Sequence, residues 1–424
     1  MTERRGISYA TILAAAFILW LPVALFGTQG YSSLVGLTAI AAAFYVRWTR
    51  FNLLVIALAA LAVWAATSSI WSAVSQSVLV GNLSEGTFNM EAAGLRIVLT
   101  LFASVLTFAA ALRIKPGRYR ISLTIIGVML AVHGAGTFAM ALLPEGALDL
   151  YAPFSDRTTE APLNILRSAN AFLLGLPILL GLLMMIGGRA RWPIAAALLV
   201  ASLVAFSLLG SDVSVLGIVL ISAALIVTTL FARSGFKLLL IAISIFILAS
   251  PLILGVGGGA LAKAGLPLPT SFQSRLWAWQ LTTEKVAERP ILGHGIEASK
   301  GWRETFGDHP DLLKQIVADT GINDGRWEYY RILPGHPHNM GLQLWAETGL
   351  IGVSLAVLCL LLIAWKLPPP ERLPLASRVA AAALIGASFA LFSLSYSVWN
   401  EAFWATIGIA AAGIVLIHRA SQPR

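Results

Sequence analysis

The sequence predicts an all-α, polytopic membrane protein with about twelve membrane-spanning helices and one large helical loop outside the membrane. Apolar side chains make up 58% of the 424 residues and charged side chains only 12%, a composition far from that of a soluble domain. The apolar residues fall into runs long enough to cross roughly 30 Å of hydrocarbon as helices. Lys and Arg are concentrated in alternate connections, as the positive-inside rule requires.

The apolar runs divide the chain into two sets of helices with a long polar connection between them. Helices one to nine are expected within residues 1–256, a loop domain within 257–340 and helices ten to twelve within 341–424. Inside the loop domain, apolar spacing predicts an amphipathic helix over 272–288 and a short helix over 310–319. The runs lie near residues 9–26, 31–46, 52–70, 94–112, 121–143, 169–187, 193–210, 213–232, 236–256, 341–365, 377–396 and 402–418.

The basic residues predict which connections face the cytoplasm. With the N-terminus inside, the cytoplasmic connections hold 17 of the 29 Lys and Arg residues and only two acidic residues. The other side holds 12 basic and 18 acidic residues. We therefore expect both termini in the cytoplasm and residues 257–340 outside. The net charge of +9 then reflects membrane topology, so we infer no nucleic-acid partner from it.

Two further features narrow the function classes. The only cysteine, Cys359, falls inside the tenth apolar run, which excludes a disulfide framework and a thiolate metal site. No GxxxxGK[ST] loop occurs, which argues against an ATP-driven mechanism.

A cluster of polar side chains marks the start of the tenth apolar run. His336-Pro337-His338-Asn339 precedes it, and Gln343 and Glu347 follow inside it. Such groups are expensive to keep at a membrane boundary, so their presence indicates chemistry at the membrane surface. Asn339, Gln343 and Glu347 are four residues apart and share one helix face, which we expect to extend the polar site inward. The alternatives are that a histidine only caps the helix and that Gln343 and Glu347 only bond neighbouring helices.

Several motifs resemble the signature of the O-antigen ligase and O-antigen polymerase family. The most specific are Ser274-Arg275-Leu276-Trp277, the segment 289–295 and the segment 336–349 that contains His-Pro-His-Asn. Supporting matches lie at 163–169, 210–214 and 399–404. The chain has Asp212 where the family often has Gln or Arg. Members of this family join lipid-linked glycans on the periplasmic side of the bacterial inner membrane.

The resemblance implies a GT-C-like fold and a glycosyltransferase that moves a glycan from undecaprenyl diphosphate to an acceptor sugar, most simply O-antigen to the lipid A core. It further implies inversion at the anomeric carbon, with no metal and no cofactor. His338 would be the general base or would orient the acceptor, because a neutral imidazole can take a proton at neutral pH. Arg275 and Arg167 would hold the diphosphate, because guanidinium pairs bidentately with phosphate oxygens. His336, Asn339, Gln343 and Glu347 would contact substrate.

Three alternatives remain. Polymerisation of O-antigen or exopolysaccharide repeat units would use the same residues and differ only in the acceptor. A secondary transporter would show two similar halves, and the sequence has no such repeat. A metal site built from His309, His336 and His338 is disfavoured, because no carboxylate lies close to the His-x-His pair in sequence.

Overall fold

The computed structural model describes residues 8–26, 30–46, 52–74, 92–263, 270–321, 325–333 and 335–422. The regular elements of these ranges are helices, and the single β-bridge joins Thr305 to Arg331, so the all-α prediction is confirmed. The α-helices are α1 (Tyr9–Phe26), α2 (Gly30–Ala42), α3 (Leu53–Thr67), α4 (Ala93–Leu112), α5 (Arg120–Leu142), α6 (Pro144–Tyr151), α7 (Glu160–Ile186), α8 (Arg191–Leu208), α9 (Asp212–Leu230), α10 (Gly235–Ser250), α11 (Gly257–Lys263), α12 (Thr270–Glu288), α13 (Pro310–Thr320), α14 (Met340–Lys366), α15 (Leu375–Leu394) and α16 (Glu401–Ser421).

Eleven helical segments of the described ranges are long and apolar enough to cross a membrane, which confirms a multi-pass membrane protein. Residues 31–46 return the chain to the side where α1 begins, since the rings of Tyr45 and Tyr9 lie 5.3 Å apart, but they form only the 13-residue helix α2, which is shorter than expected. At about 1.5 Å per residue that helix covers about 20 Å, less than the roughly 30 Å of hydrocarbon. The ninth run is longer than expected, since α10 continues through one wide turn, Pro251–Val256, into α11.

Small residues allow the central helices to pack closely. Helix α15 packs against α7 and α9, and α16 packs against α4. A Cβ added at Gly408 of α16 would lie 2.6 Å from the Ser104 hydroxyl, and one at Gly181 of α7 would lie 2.9 Å from the Ala380 Cβ. Because the surrounding lipid is as apolar as the helix faces, such close packing is what holds membrane helices together.

Helix α14 is broken at Gly349, and a loop of the polar connection completes it. Gly349 has φ +63° and ψ −169°, so the carbonyls of the preceding turn lose their helical donors. The backbone N–H of His294 donates to the Ala346 carbonyl at 2.9 Å, and that of Gly295 donates to the Glu347 carbonyl at 2.8 Å. Unpaired backbone groups are costly away from water, so the 289–295 loop stabilises the break.

The polar connection contains the two helices that the sequence predicts, α12 and α13. Helix α12 presents apolar side chains to two different neighbours. Leu276 and Trp279 pack with Leu342 of α14, whereas Trp277 packs with Phe306 in a separate small core of the connection. Helix α12 therefore joins the polar connection to the membrane-spanning helices.

Candidate active site

One cavity of about 430 Å³ lies where α7, α9 and α16 begin, beside α12 and the loop that precedes α14. Four residues predicted from the sequence share its wall: Arg167, Arg275, His336 and His338. They come from three separate parts of the chain. The full lining is Leu163, Leu166, Arg167, Asn170, Gly210, Ser211, Asp212, Val213, Arg275, His336, His338, Ser395, Tyr396, Asn400, Glu401, Ala402 and Phe403.

The His338 ring is oriented by the connection between α15 and α16. Its Nδ1 lies 2.8 Å from the Ser395 carbonyl oxygen. A carbonyl only accepts, so Nδ1 carries the proton and Nε2 keeps its lone pair in the neutral ring. Burial lowers the pKa of His338 below its ordinary value of 6.5; the hydrogen bond to Ser395 opposes this shift, and the nearby charge of Arg275 adds to it. His338 therefore offers an unprotonated Nε2 at neutral pH.

His336 and Trp279 hold the backbone of His338 in an unusual conformation. His338 has φ +52°, in the left-handed region that non-glycine residues rarely adopt. Its N–H donates to His336 Nδ1 at 3.2 Å, and Trp279 Nε1 donates to the Pro337 carbonyl at 2.9 Å. Burial, followed by the charges of His338 and Lys300, lowers the pKa of His336 to about 3, so this ring stays a neutral acceptor. The loop is thereby tied to α12.

Two guanidinium groups reach the same cavity from different helices. Arg275 projects from α12 and is partly buried; burial lowers its pKa and the carboxylate of Asp212 raises it. Arg167 projects from α7 and donates to Asn164 Oδ1 at 3.3 Å. Arginine remains charged in proteins even when partly desolvated. The cavity therefore contains two fixed cations beside an uncharged imidazole.

The stripe Asn339, Gln343 and Glu347 does not line the cavity, contrary to the expectation that it extends the polar site inward. Asn339 Oδ1 accepts the Leu342 N–H at 3.0 Å as a helix cap, and its Nδ2 donates to the Ser393 carbonyl at 3.0 Å. Gln343 Oε1 accepts the Val398 N–H at 2.9 Å. Asn339 therefore bonds the last turn of α15, and Gln343 bonds the connection between α15 and α16.

Glu347 is fully buried and is surrounded by donors of the protein itself. It accepts from the Glu297 N–H at 2.8 Å, from the Ser299 hydroxyl at 2.5 Å and from the indole N–H of Trp399. A buried carboxylate needs such donors, and these are supplied by the polar connection and by the residues before α16. The three residues of the stripe thus bond segments next to the cavity and do not line it. The geometry gives no support to a contact between them and a substrate.

Sequence reasoning did not single out Asn170 and Tyr396, and it noted Asp212 and Glu401 only as parts of the motifs at 210–214 and 399–404 without a role in the site. Asn170 Nδ2 donates to the Tyr396 hydroxyl at 2.6 Å, and burial raises the pKa of Tyr396 to about 12, so it stays neutral. Glu401 pairs with Arg96 at 3.4 Å. Asn170 is a polar residue inside an apolar run, which is a usable signal. No sequence signal marks Tyr396, because its place in the cavity depends on how the helices pack.

Within the described ranges, no three His, Cys, Asp or Glu residues are close enough to hold a metal ion. The cavity combines a neutral base, two cations, two carboxylates, a phenol and amides. This set can remove a proton from a hydroxyl and compensate the negative charge of a leaving group.

Comparisons with known proteins find similar chains among Rickettsia proteins that are described as polysaccharide ligases. The chain is 30% identical over 198 residues to "Putative polysaccharide ligase RP358" of Rickettsia prowazekii, which covers 46% of this chain and 44% of the relative. It is 30% identical over 180 residues, 42% and 40% of the two chains, to a protein of the same description from Rickettsia conorii. A third, from Rickettsia felis, is 26% identical over 236 residues, 54% and 52% of the two chains.

The matched parts amount to about half of the length of these relatives or less. No family model matches the chain, and no solved structure matches it. The curated relatives confirm the resemblance to the O-antigen ligase family that the motifs carry: this chain is similar to proteins described as polysaccharide ligases.

Proposed function

We propose that the protein is a membrane glycosyltransferase that moves a glycan from a polyprenyl diphosphate to an acceptor sugar. The observation that carries the proposal is the shared cavity of His338, Arg275 and Arg167. These residues are far apart in the sequence, and each supplies a different part of the reaction. The descriptions of the Rickettsia relatives as polysaccharide ligases support the same class of reaction.

The reaction follows from the positions of the groups. Nε2 of His338 takes the proton of an acceptor hydroxyl, whose oxygen attacks the anomeric carbon of the donor sugar. The bond from that carbon to the diphosphate breaks, and the electron pair leaves with the lipid diphosphate. Arg275 and Arg167 compensate the charge of this leaving group, and a single displacement inverts the anomeric configuration.

The membrane setting suits a lipid-linked donor. The described helices α7, α9, α14 and α16 begin at the cavity, and α15 ends there, so the site lies at one end of the spanning helices. A donor lipid can stay in the bilayer while its diphosphate enters the cavity. With positive residues inside, this end faces the periplasm of a bacterial inner membrane.

We propose a lipid-anchored glycan, such as the lipid A core, as the acceptor, with undecaprenyl diphosphate as the donor carrier. The word "ligase" in the relatives' descriptions favours this acceptor over a growing polymer. The two outcomes differ in the product: ligation moves the glycan to a lipid without diphosphate, whereas polymerisation lengthens a glycan that remains on diphosphate.

Purified protein in detergent tests the proposal directly. Given a polyprenyl-diphosphate-linked glycan and a lipid A core acceptor, it should release polyprenyl diphosphate without ATP and form a glycan-bearing acceptor. His338→Asn should reduce turnover at least about a hundredfold, in the range that general-base catalysis contributes. Asn suits the left-handed backbone at this position and cannot act as a base.

His309→Asn is the matched control, because His309 lies outside the cavity and its replacement should leave turnover unchanged. Turnover by His338→Asn above a tenth of the unmodified rate would contradict the role of His338. Failure of the unmodified protein to release lipid diphosphate would contradict the proposed function.

A further inference from the structure

Asp212 brings a second kind of charge into the cavity. It is the first residue of α9, its side chain is exposed, and it lines the same cavity as Arg275. Within the described part of the chain, Asp212 forms no ion pair. The other cavity carboxylate, Glu401, is paired with Arg96 at 3.4 Å. Asp212 therefore places a negative charge on the wall of the cavity that also holds Arg275 and Arg167.

The charge of Asp212 acts on Arg275 in the same cavity. Burial lowers the pKa of this guanidinium, and the carboxylate of Asp212 acts in the opposite direction. The two groups therefore influence each other without forming an ion pair. Both line the cavity, so a ligand that enters it can contact Arg275 directly.

We propose that Asp212 is the counter-ion of Arg275 in the empty cavity and that the diphosphate of a prenyl carrier replaces it. The proposal rests on the proposed function, because it concerns the same diphosphate. A diphosphate has more negative charge than one carboxylate and hydrogen-bonds guanidinium directly, so Arg275 binds the diphosphate more strongly than it attracts Asp212. After transfer, repulsion from Asp212 helps the lipid diphosphate to leave.

In this role, Asp212 weakens the binding of the donor but speeds the release of the lipid diphosphate product. A carboxylate beside an anion site weakens the affinity for substrate and for lipid product alike. Product release limits turnover in many enzymes, so weaker product binding favours turnover. A neutral residue at position 212 should therefore tighten prenyl diphosphate binding and slow turnover at saturating donor.

Binding of farnesyl diphosphate to the full-length protein in detergent tests the proposal. Asp212→Asn should lower the Kd about tenfold at low salt, because it removes one negative charge from the wall of the cavity that holds Arg275. The difference should shrink as salt is added. Asp212→Ser is a second neutral variant, since serine is well tolerated at a helix start, and Asp212→Glu should bind as the unmodified protein does.

Asp149→Asn is the matched control. Asp149 pairs with Arg157 at 2.8 Å outside the cavity, so its replacement changes the net charge equally and should leave the Kd unchanged. Arg275→Ala should weaken binding. If Arg275→Ala binds as tightly as the unmodified protein, the diphosphate site of the proposed function is wrong. If binding depends on Arg275 but both neutral variants at 212 bind no tighter, the counter-ion proposal alone is overturned.

Discussion

His338 gains its chemistry from three neighbours rather than from its position in the sequence alone. The Ser395 carbonyl selects the tautomer, and His336 and Trp279 support a backbone conformation that a histidine rarely adopts. Left-handed backbone costs a non-glycine residue about 1–2 kcal/mol, so the loop must be held by such contacts. A strained backbone at a residue that lines the cavity is consistent with a catalytic role of His338.

Turnover should depend on pH through the protonation of His338. Its pKa lies below 6.5 in the folded protein, so falling pH adds a proton to Nε2 and removes the base. Turnover should therefore be flat from about pH 7 to 8 and fall only on the acid side of 6.5. A pH–rate profile in detergent measures this, and the acid limb should vanish in His338→Asn. A limb with its midpoint above 6.5 would contradict a buried, neutral His338.

Helix α14 combines a regular polar stripe with a break that another segment repairs. Its first turns bond the last turn of α15 through Asn339 and the connection between α15 and α16 through Gln343, and its broken turn accepts the N–H groups of His294 and Gly295. One element thus contacts both the connection between α15 and α16, which lines the cavity, and the 289–295 loop. The break depends on Gly349, whose φ of +63° and ψ of −169° are essentially restricted to glycine.

Gly349→Ala should destabilise the protein more than Gly187→Ala. Both glycines share the same backbone region, since Gly187 has φ +80° and ψ −172°, so strain costs each about 1–3 kcal/mol. A Cβ at Gly349 would also lie 2.2 Å from the Ile291 carbonyl, whereas one at Gly187 meets nothing within 4 Å. Overpacking adds about 1–3 kcal/mol at Gly349. Thermal unfolding in detergent compares them, and equal losses of Tm would show that the 289–295 loop does not pack tightly on α14.

The whole molecule places its candidate site at one end of the bundle. The cavity is lined by residues at the starts of α7, α9 and α16 and by the polar connection before α14. These are the connections that the distribution of Lys and Arg assigns to the outside. The connections that meet at the cavity therefore all belong to the side that the charge rule assigns to the outside.

Cysteine labelling tests this orientation. In a Cys359→Ser background, Ala152→Cys lies at the cavity end after α6, and Ala190→Cys lies at the opposite end before α8; both positions are exposed. A membrane-impermeant maleimide added to intact spheroplasts should label Ala152→Cys but label Ala190→Cys only after lysis. The reverse pattern would place the cavity in the cytoplasm.

The sequence by itself determined the all-α membrane class, the positions of most spanning helices and the motif residues Arg275 and His338. Hydrophobic length and charge are local properties, so they are visible in one dimension. Only the tertiary structure decided which polar side chains reach the cavity. Helical spacing correctly placed Asn339, Gln343 and Glu347 on one face, but it could not show that this face meets other parts of the protein. Asp212 reaches the site from another helix, because packing brings distant segments together.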